Sequence, residues 1–317
     1  LQCYLFQVFN MFIFIWILQL VLIPILSPLF IGIVKKIKAK FQNRNGSSVF
    51  QLYKDLWKLF QKDEVISRDA SWIFKFAPYL IFAITIILGV SIPLFTSILN
   101  NPLSDFLTII YLIALQTFFL ALAGIDVGNA FGGFGSSREM TVATLTEAGL
   151  LFSILSLSFL SHSTNFFTIV GNISSLSFFS FAPIIFAFTA FIISMLAETA
   201  RFPFDNPATH LELTMIHEAM ILEYSGKRLA LIEWAAANKF LIFLTLGANL
   251  FCPWGISWSS SLSNLSIAFL YFLGKVFILS LFVAVLESII AKFRFFRLPD
   301  LLFSSFILSI ISISLIV

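Results

Sequence analysis

Apolar residues run almost unbroken through eight stretches of the chain, roughly residues 9–33, 72–98, 106–124, 140–160, 177–196, 237–255, 265–287 and 300–317. Each is close to the ~20 residues that carry a helix across a hydrocarbon core of about 30 Å. A lipid interior leaves the backbone no solvent to bond, so spans of this length are helices. The pattern predicts an all-α, polytopic membrane protein with about eight transmembrane helices, forming a single integral membrane domain over residues 1–317. Lys and Arg fall almost wholly in the connections 34–71, 125–139, 197–236 and 288–299, with Lys75 and Lys239 at adjoining span ends and Lys275 well inside the seventh span. The N-terminus and the connections 99–105, 161–176 and 256–264 contain none. This asymmetry predicts a multi-pass protein of the inner (cytoplasmic) membrane, with the basic connections in the cytoplasm and both termini outside.

Within the connection 34–71, the segment Val49 to Phe60 spaces Leu52, Leu56, Leu59 and Phe60 along one side, with Lys54, Asp55 and Lys58 on others. That spacing predicts an amphipathic cytoplasmic helix. Such a helix either lies at the interface with its lysine stems on lipid or offers a docking surface to a peripheral protein. At the end of the third span, GIDVGNAFGGFGSSRE is rich in glycine, yet Arg138 stands where GxGxxG has its last Gly and no strand precedes it. A close-packed cytoplasmic turn is predicted there, not a phosphate loop.

Composition narrows the chemistry. The 317 residues are 59% hydrophobic and include 41 Phe, against 16 acidic and 19 basic residues, which is no soluble domain. A net charge of +3 gives no footing for nucleic acid. Cys3 and Cys252 are far apart with no neighbouring ligands, so any iron–sulfur cluster or other redox centre belongs to a partner. His217-Glu218 is followed by Ile221 where a zinc-binding HExxH helix needs its second His. The chain begins at Leu1 with no basic region before its first apolar run, so a cleaved signal peptide is not expected.

The ionisable residues gather in the connection 197–236, a charged lobe holding Glu198, Asp205, Glu212, Glu218, Glu223 and Glu233 together with Arg201, His210, His217, Lys227 and Arg228. Asp205-Asn206-Pro207 predicts a capped helix from Pro207 to Tyr224, ending at Ser225-Gly226. On it Glu212 and Glu223 share one face, and His210 and His217 another. Glu147 lies about two turns inside the fourth span, where a carboxylate must be neutral, paired or beside water. Lys275 poses the same question with opposite sign, whereas Glu287 at a cytoplasmic span end is expected to be solvated. These residues alone leave a carrier, an ion channel and a redox-complex subunit open.

The string AETARFPFD with Glu212 and then EYSG, the string KAKFQNRNG with QLYKDLWKLFQKD, and the interval from Arg138 to Glu147 together resemble the subunit 1 family of respiratory complex I over nearly the whole chain. The segments DNPATHLELTMIHEAMILEYSGKRLALIEWA and LESIIAKFRFFRLPDLL look more like that family's hydrogenase branch, the membrane anchors of group 4 [NiFe] hydrogenases of the formate hydrogenlyase type. The resemblance implies a membrane-anchor and ion-coupling subunit without a catalytic centre of its own. It implies an ion-coupling network of Glu147, Glu198, Arg201, Asp205, Glu212, Glu223 and Lys275. Docking to the hydrogenase large and small subunits is implied at Gln51, Tyr53, Asp55, Lys58, Phe202, Phe204 and Asn206. Antiporter-like membrane subunits are the further partners, and the NiFe centre and iron–sulfur clusters sit in partner chains. Thr146 stands where complex I members carry an aromatic residue, and the interval before EYSG is longer than theirs. Quinone therefore enters only under the alternative of a quinone-binding complex I subunit, and a stand-alone carrier is the other rival.

Overall fold

The computed structural model describes residues 2–97, 102–174, 181–205, 215–258, 261–291 and 293–316. Its elements are α1 (Gln2–Phe41), α2 (Gln51–Gln61), α3 (Trp72–Ser91), α4 (Phe106–Asp126), α5 (Ala130–Ser161), α6 (Phe166–Ile173), α7 (Phe181–Glu198), α8 (His217–Ile221), α9 (Gly226–Phe251), α10 (Leu262–Ile289) and α11 (Leu298–Ser314). Seven of these are long and apolar enough to cross a membrane, and α7 is a shorter apolar helix beside them. The chain is a polytopic all-α membrane protein.

The helices form two packed groups. One contains α1, α3, α9 and α10, with α2 lying on α1 and α9; the other contains α5, α7 and α11. α4 joins them by packing on α3 and α5, and α8 rests on α4 and α5. Small residues set the closest approaches, as they do where lipid supplies no hydrophobic drive between helices. A Cβ on Gly132 of α5 would stand 2.2 Å from the Gly124 carbonyl oxygen of α4, and one on Gly149 would meet the hydroxyls of Ser194 and Ser305 at 2.8 and 2.5 Å.

Helices outrun the apolar stretches at the end that carries α2. α1 continues to Phe41, α5 begins at Ala130 and α9 begins at Gly226. The glycine-rich segment is therefore mostly the first turns of α5, and only residues 127–129 form the predicted turn. Gly132 faces the Gly124 backbone of α4, and Gly135 faces the Ala219 side chain of α8 and the Ile216 carbonyl. At the opposite end the second span stops early, at Ser91. Pro93 disfavours helix at Ile92, and residues 92–95 run on as buried non-helical chain whose Pro93 and Leu94 carbonyls accept from Asn249 Nδ2 at 2.6 and 2.7 Å.

α1 carries Pro24 and Pro28. Pro28 has no N–H for the carbonyl four residues back, and that carbonyl, on Pro24, accepts from Trp234 Nε1 at 2.9 Å. A proline in one helix thereby fixes the register of α9 against it.

The predicted helix from Pro207 is corrected where it can be seen. Residues 206–214 lie outside the described residues; Met215 and Ile216 are non-helical, and α8 spans only His217–Ile221. Asp205 does act as a cap, for α8: its Oδ2 accepts from the Ile216 and His217 amides at 3.2 and 3.0 Å.

Candidate functional site

The two helix groups part at the end carrying α2, around a cavity of about 270 Å³. Apolar walls come from Ile31, Val34, Leu52, Ile81, Leu120 and Phe240, and the charged side chains of Lys38, Glu139, Glu198, Arg201, Asp205, Lys239 and Glu287 converge on it.

Lys38, Glu198 and Glu287 ride on helix ends, Arg201 and Asp205 on the α7–α8 connection, Glu139 in the third turn of α5 and Lys239 midway along α9. Glu198 closes α7, where its Oε2 accepts from Lys239 Nζ of α9 at 2.7 Å; Lys239 also donates to Thr117 Oγ1 of α4 at 3.2 Å. Both members of the pair are buried, at 7% and 8% exposure, which is tolerable only because each neutralises the other. Among the described residues, Glu198 Oε1 has no hydrogen-bond partner. Glu287 of α10 is not solvated as expected: it is 6% exposed and bridges Arg201 at 3.0 Å and Lys38 at 3.1 Å. Each of those cations also sits on an aromatic face, Arg201 3.9 Å from the Phe240 centroid and Lys38 4.0 Å from that of Phe202.

On α8, burial pushes the Glu218 carboxyl up to about 7, with Glu233 and Asp205 adding to the effect and Lys35 opposing it. Burial drives His217 the other way, down to about 4, with Asp205 opposing and Lys239 adding. At neutral pH the imidazole is uncharged and the neighbouring carboxyl is poised to take up or lose a proton.

Of the seven residues expected to couple ions, Glu198, Arg201 and Asp205 meet in this cavity. Glu147 lies next door, in an apolar groove between α4 and α5 lined by Tyr111, Leu115, Phe118, Met140 and Ala143. Thr117 lines both spaces. Glu223 stands apart, accepting from Asn129, the cap of α5. Lys275 is at the opposite end of the molecule, donating to Asn249 Oδ1 and to the Cys252 and Trp254 carbonyls at 2.7, 3.1 and 3.0 Å, where it closes the C-terminus of α9. Glu212 lies outside the described residues.

Of the expected docking residues, Gln51 bonds Asp55 along α2 at 2.8 Å, Tyr53 donates to the Ile25 carbonyl, and Lys58 is exposed. Phe202 lines the cavity, Phe204 is buried at 1% exposure, and Asn206 lies outside the described residues. Glu139, Lys38, Lys239 and Gln116 were not singled out from sequence. For Lys38 and Glu139 the signal was helical spacing that continues past the apolar run, and for Gln116 and Lys239 a lone polar residue within one.

The EYSG string is also explained by its contacts. Tyr224 stacks on Phe74 at 3.9 Å and donates to its carbonyl, Ser225 Oγ bonds Val65 N and O at 2.8 and 3.0 Å, and Gly226 has φ +55° against the Lys62 and Asp63 carbonyls. These contacts tie the chain after α2 to the start of α9.

A family model described as NADH dehydrogenase matches residues 13–317. Hydrogenase-4 component C of Escherichia coli (strain K12) is 32% identical over 280 residues, covering 87% of this chain and 87% of the relative. Formate hydrogenlyase subunit 4 of the same organism is 27% identical over 293 residues, covering 92% and 94%. Among solved structures, a chain of the membrane-bound sulfane sulfur reductase, an archaeal respiratory membrane complex, superposes with a TM-score of 0.77 at 20% identity, covering 95% of this chain and 99% of that one.

Proposed function

The chain belongs to the NADH dehydrogenase family, the subunit 1 line of complex I, and from that membership we propose that it is the membrane-anchor and ion-coupling subunit of a complex I-like [NiFe] hydrogenase of the formate hydrogenlyase type. The observation that carries this reading is the cavity at the α2 end, in which the Glu198–Lys239 pair and the Lys38–Glu287–Arg201 triad lie beside the titratable pair His217 and Glu218. Hydrogenase large and small subunits dock on this cytoplasmic end, over α2 and the Phe202 loop. Their NiFe centre and clusters do the redox chemistry, and antiporter-like subunits lie alongside in the membrane.

Coupling is electrostatic. An electron arriving in the docked arm adds negative charge near the mouth of the cavity, which raises the proton affinity of carboxylates there. Glu218 gains a proton, the balance of the Glu198–Lys239 pair shifts, and Thr117 passes that change to Glu147.

Glu147→Gln is expected to lower ion translocation by the reconstituted native assembly at least about tenfold, equivalent to about 1.4 kcal/mol on the barrier, with subunit yield retained. Unchanged translocation in that variant, or a purified assembly without nickel, sinks the reading. A second reading, a quinone-binding complex I subunit, draws on the apolar wall of Ile31, Val34, Leu52 and Ile81. Quinone recovered with the assembly, and inhibition by quinone-site blockers, distinguishes it.

A further inference from the structure

Away from the cavity, α1, α3 and α9 meet along a column of polar side chains that the coupling network does not use. Its level nearest the cavity is a bonded trio: Ser27 Oγ donates to Asn238 Oδ1 at 2.6 Å, and Asn238 Nδ2 donates to Thr85 Oγ1 at 3.2 Å. All three are fully buried, and Asn238 is the neighbour in sequence of Lys239 in the cavity. The next level contains Gln19 of α1, also fully buried, whose Oε1 and Nε2 both lack a partner among the described residues. α1 and α9 run antiparallel, so Gln19, eight residues from Ser27, and Thr245, seven residues from Asn238, both lie about 10–12 Å further along at 1.5 Å per residue. They share a depth. Ser91, at the end of α3, and Thr245 are fully buried too; each spends its hydroxyl proton on its own helix and keeps an acceptor free. One turn beyond Thr245 is Asn249, bonded to Lys275, which is half-buried at the far end of the molecule.

A buried primary amide with neither group bonded is costly in a protein interior, and such groups in native proteins are satisfied by ordered water. An apolar residue would pack here without that cost. We propose that the α1–α3–α9 junction holds a chain of buried water anchored on Gln19, and that it is a route for protons through this chain from the Glu198–Lys239 cavity to the far face at Lys275. Gln19 orients water and is never itself charged; each proton that enters at the cavity end releases one at the other by exchange along the water chain. The route rests on the coupling role proposed above and adds a second branch to it, separate from Glu147.

The test uses the native assembly, purified through a tag on this chain and reconstituted in liposomes. High-resolution density is expected to show water on both Gln19 amide atoms. Gln19→Leu is expected to cut proton transfer at least about tenfold while redox turnover and subunit yield hold. A dry Gln19 overturns the proposal, and in that case Gln19→Leu raises the thermal midpoint by removing an unsatisfied amide. Unaltered proton transfer in Gln19→Leu, or none in the wild type, also overturns it. If Gln19→Leu fails to assemble, the wild-type density decides. Glu198→Gln separates the two ideas: transfer lost there but kept in Gln19→Leu defeats only this route, whereas transfer kept in both defeats the coupling role as well.

Discussion

Residues at the α2 end show how a membrane protein keeps charge where lipid would exclude it. Glu287 shares one carboxylate between two cations, and each cation also lies on an aromatic face. Among the described residues Glu218 and His217 have no such partners, and burial pushes both toward their neutral forms. Their effects on stability therefore run in opposite directions. Glu218, raised to about 7, holds its proton longer folded than unfolded, so its contribution is full below its ordinary value of 4.5 and is lost as pH rises through about 7. His217, lowered to about 4, resists protonation when folded; its contribution is full above 6.5 and is lost as pH falls through about 4. Glu218→Gln is expected to flatten the decline in thermal midpoint between pH 4.5 and 7, and His217→Phe the decline on the acid side. Midpoints from pH 4 to 8 check both, and a Glu218→Gln curve parallel to wild type contradicts the assignment.

Among the elements, α5 is the one whose sequence was hardest to read. Its first turns, AFGGFGSSRE, have the composition of a loop, and only the contacts explain the glycines. Gly132 meets the Gly124 backbone, whereas Gly133 has nothing within 4 Å of its Cβ direction. Gly132→Ala is expected to split α4 from α5 and abolish detergent-stable protein. Gly133→Ala, one residue on, is expected to stabilise by about 0.5–1 kcal/mol through lower chain entropy. Thermal unfolding of the pair measures this, and equal behaviour of the two contradicts the packing. α2 was legible because its apolar positions keep helical spacing, and Leu56 is the one buried. α8 was not, because the Asp205 cap acts on amides eleven and twelve residues away, a contact that the tertiary fold alone creates.

At the scale of the molecule, apolar run length foretold the spans and missed where their helices end. Hydropathy stops a span at the first charge because lipid penalises it, but Lys38, Glu139 and Lys239 face a protein-lined cavity, so α1, α5 and α9 continue through them. The cavity lies in those overruns, which is why it escaped the sequence. The basic connections predict that this end is cytoplasmic. Cysteine at Gln61, tested with Cys3 replaced by Ser, is expected to react with an impermeant maleimide only in inverted vesicles, and native Cys252 only from outside the cell; labelling of both from one side contradicts the orientation.

Thr117 stands between two compartments, with the paired charges on one side and Glu147 on the other. A side chain that borders both spaces can relay a change between them without a moving lid, because a rotamer change needs only torsion rotation and is fast. On the proposed coupling role, the Coulomb cost of a charge passing the fixed Glu198–Lys239 pair, and not hinge motion, would then set the tempo.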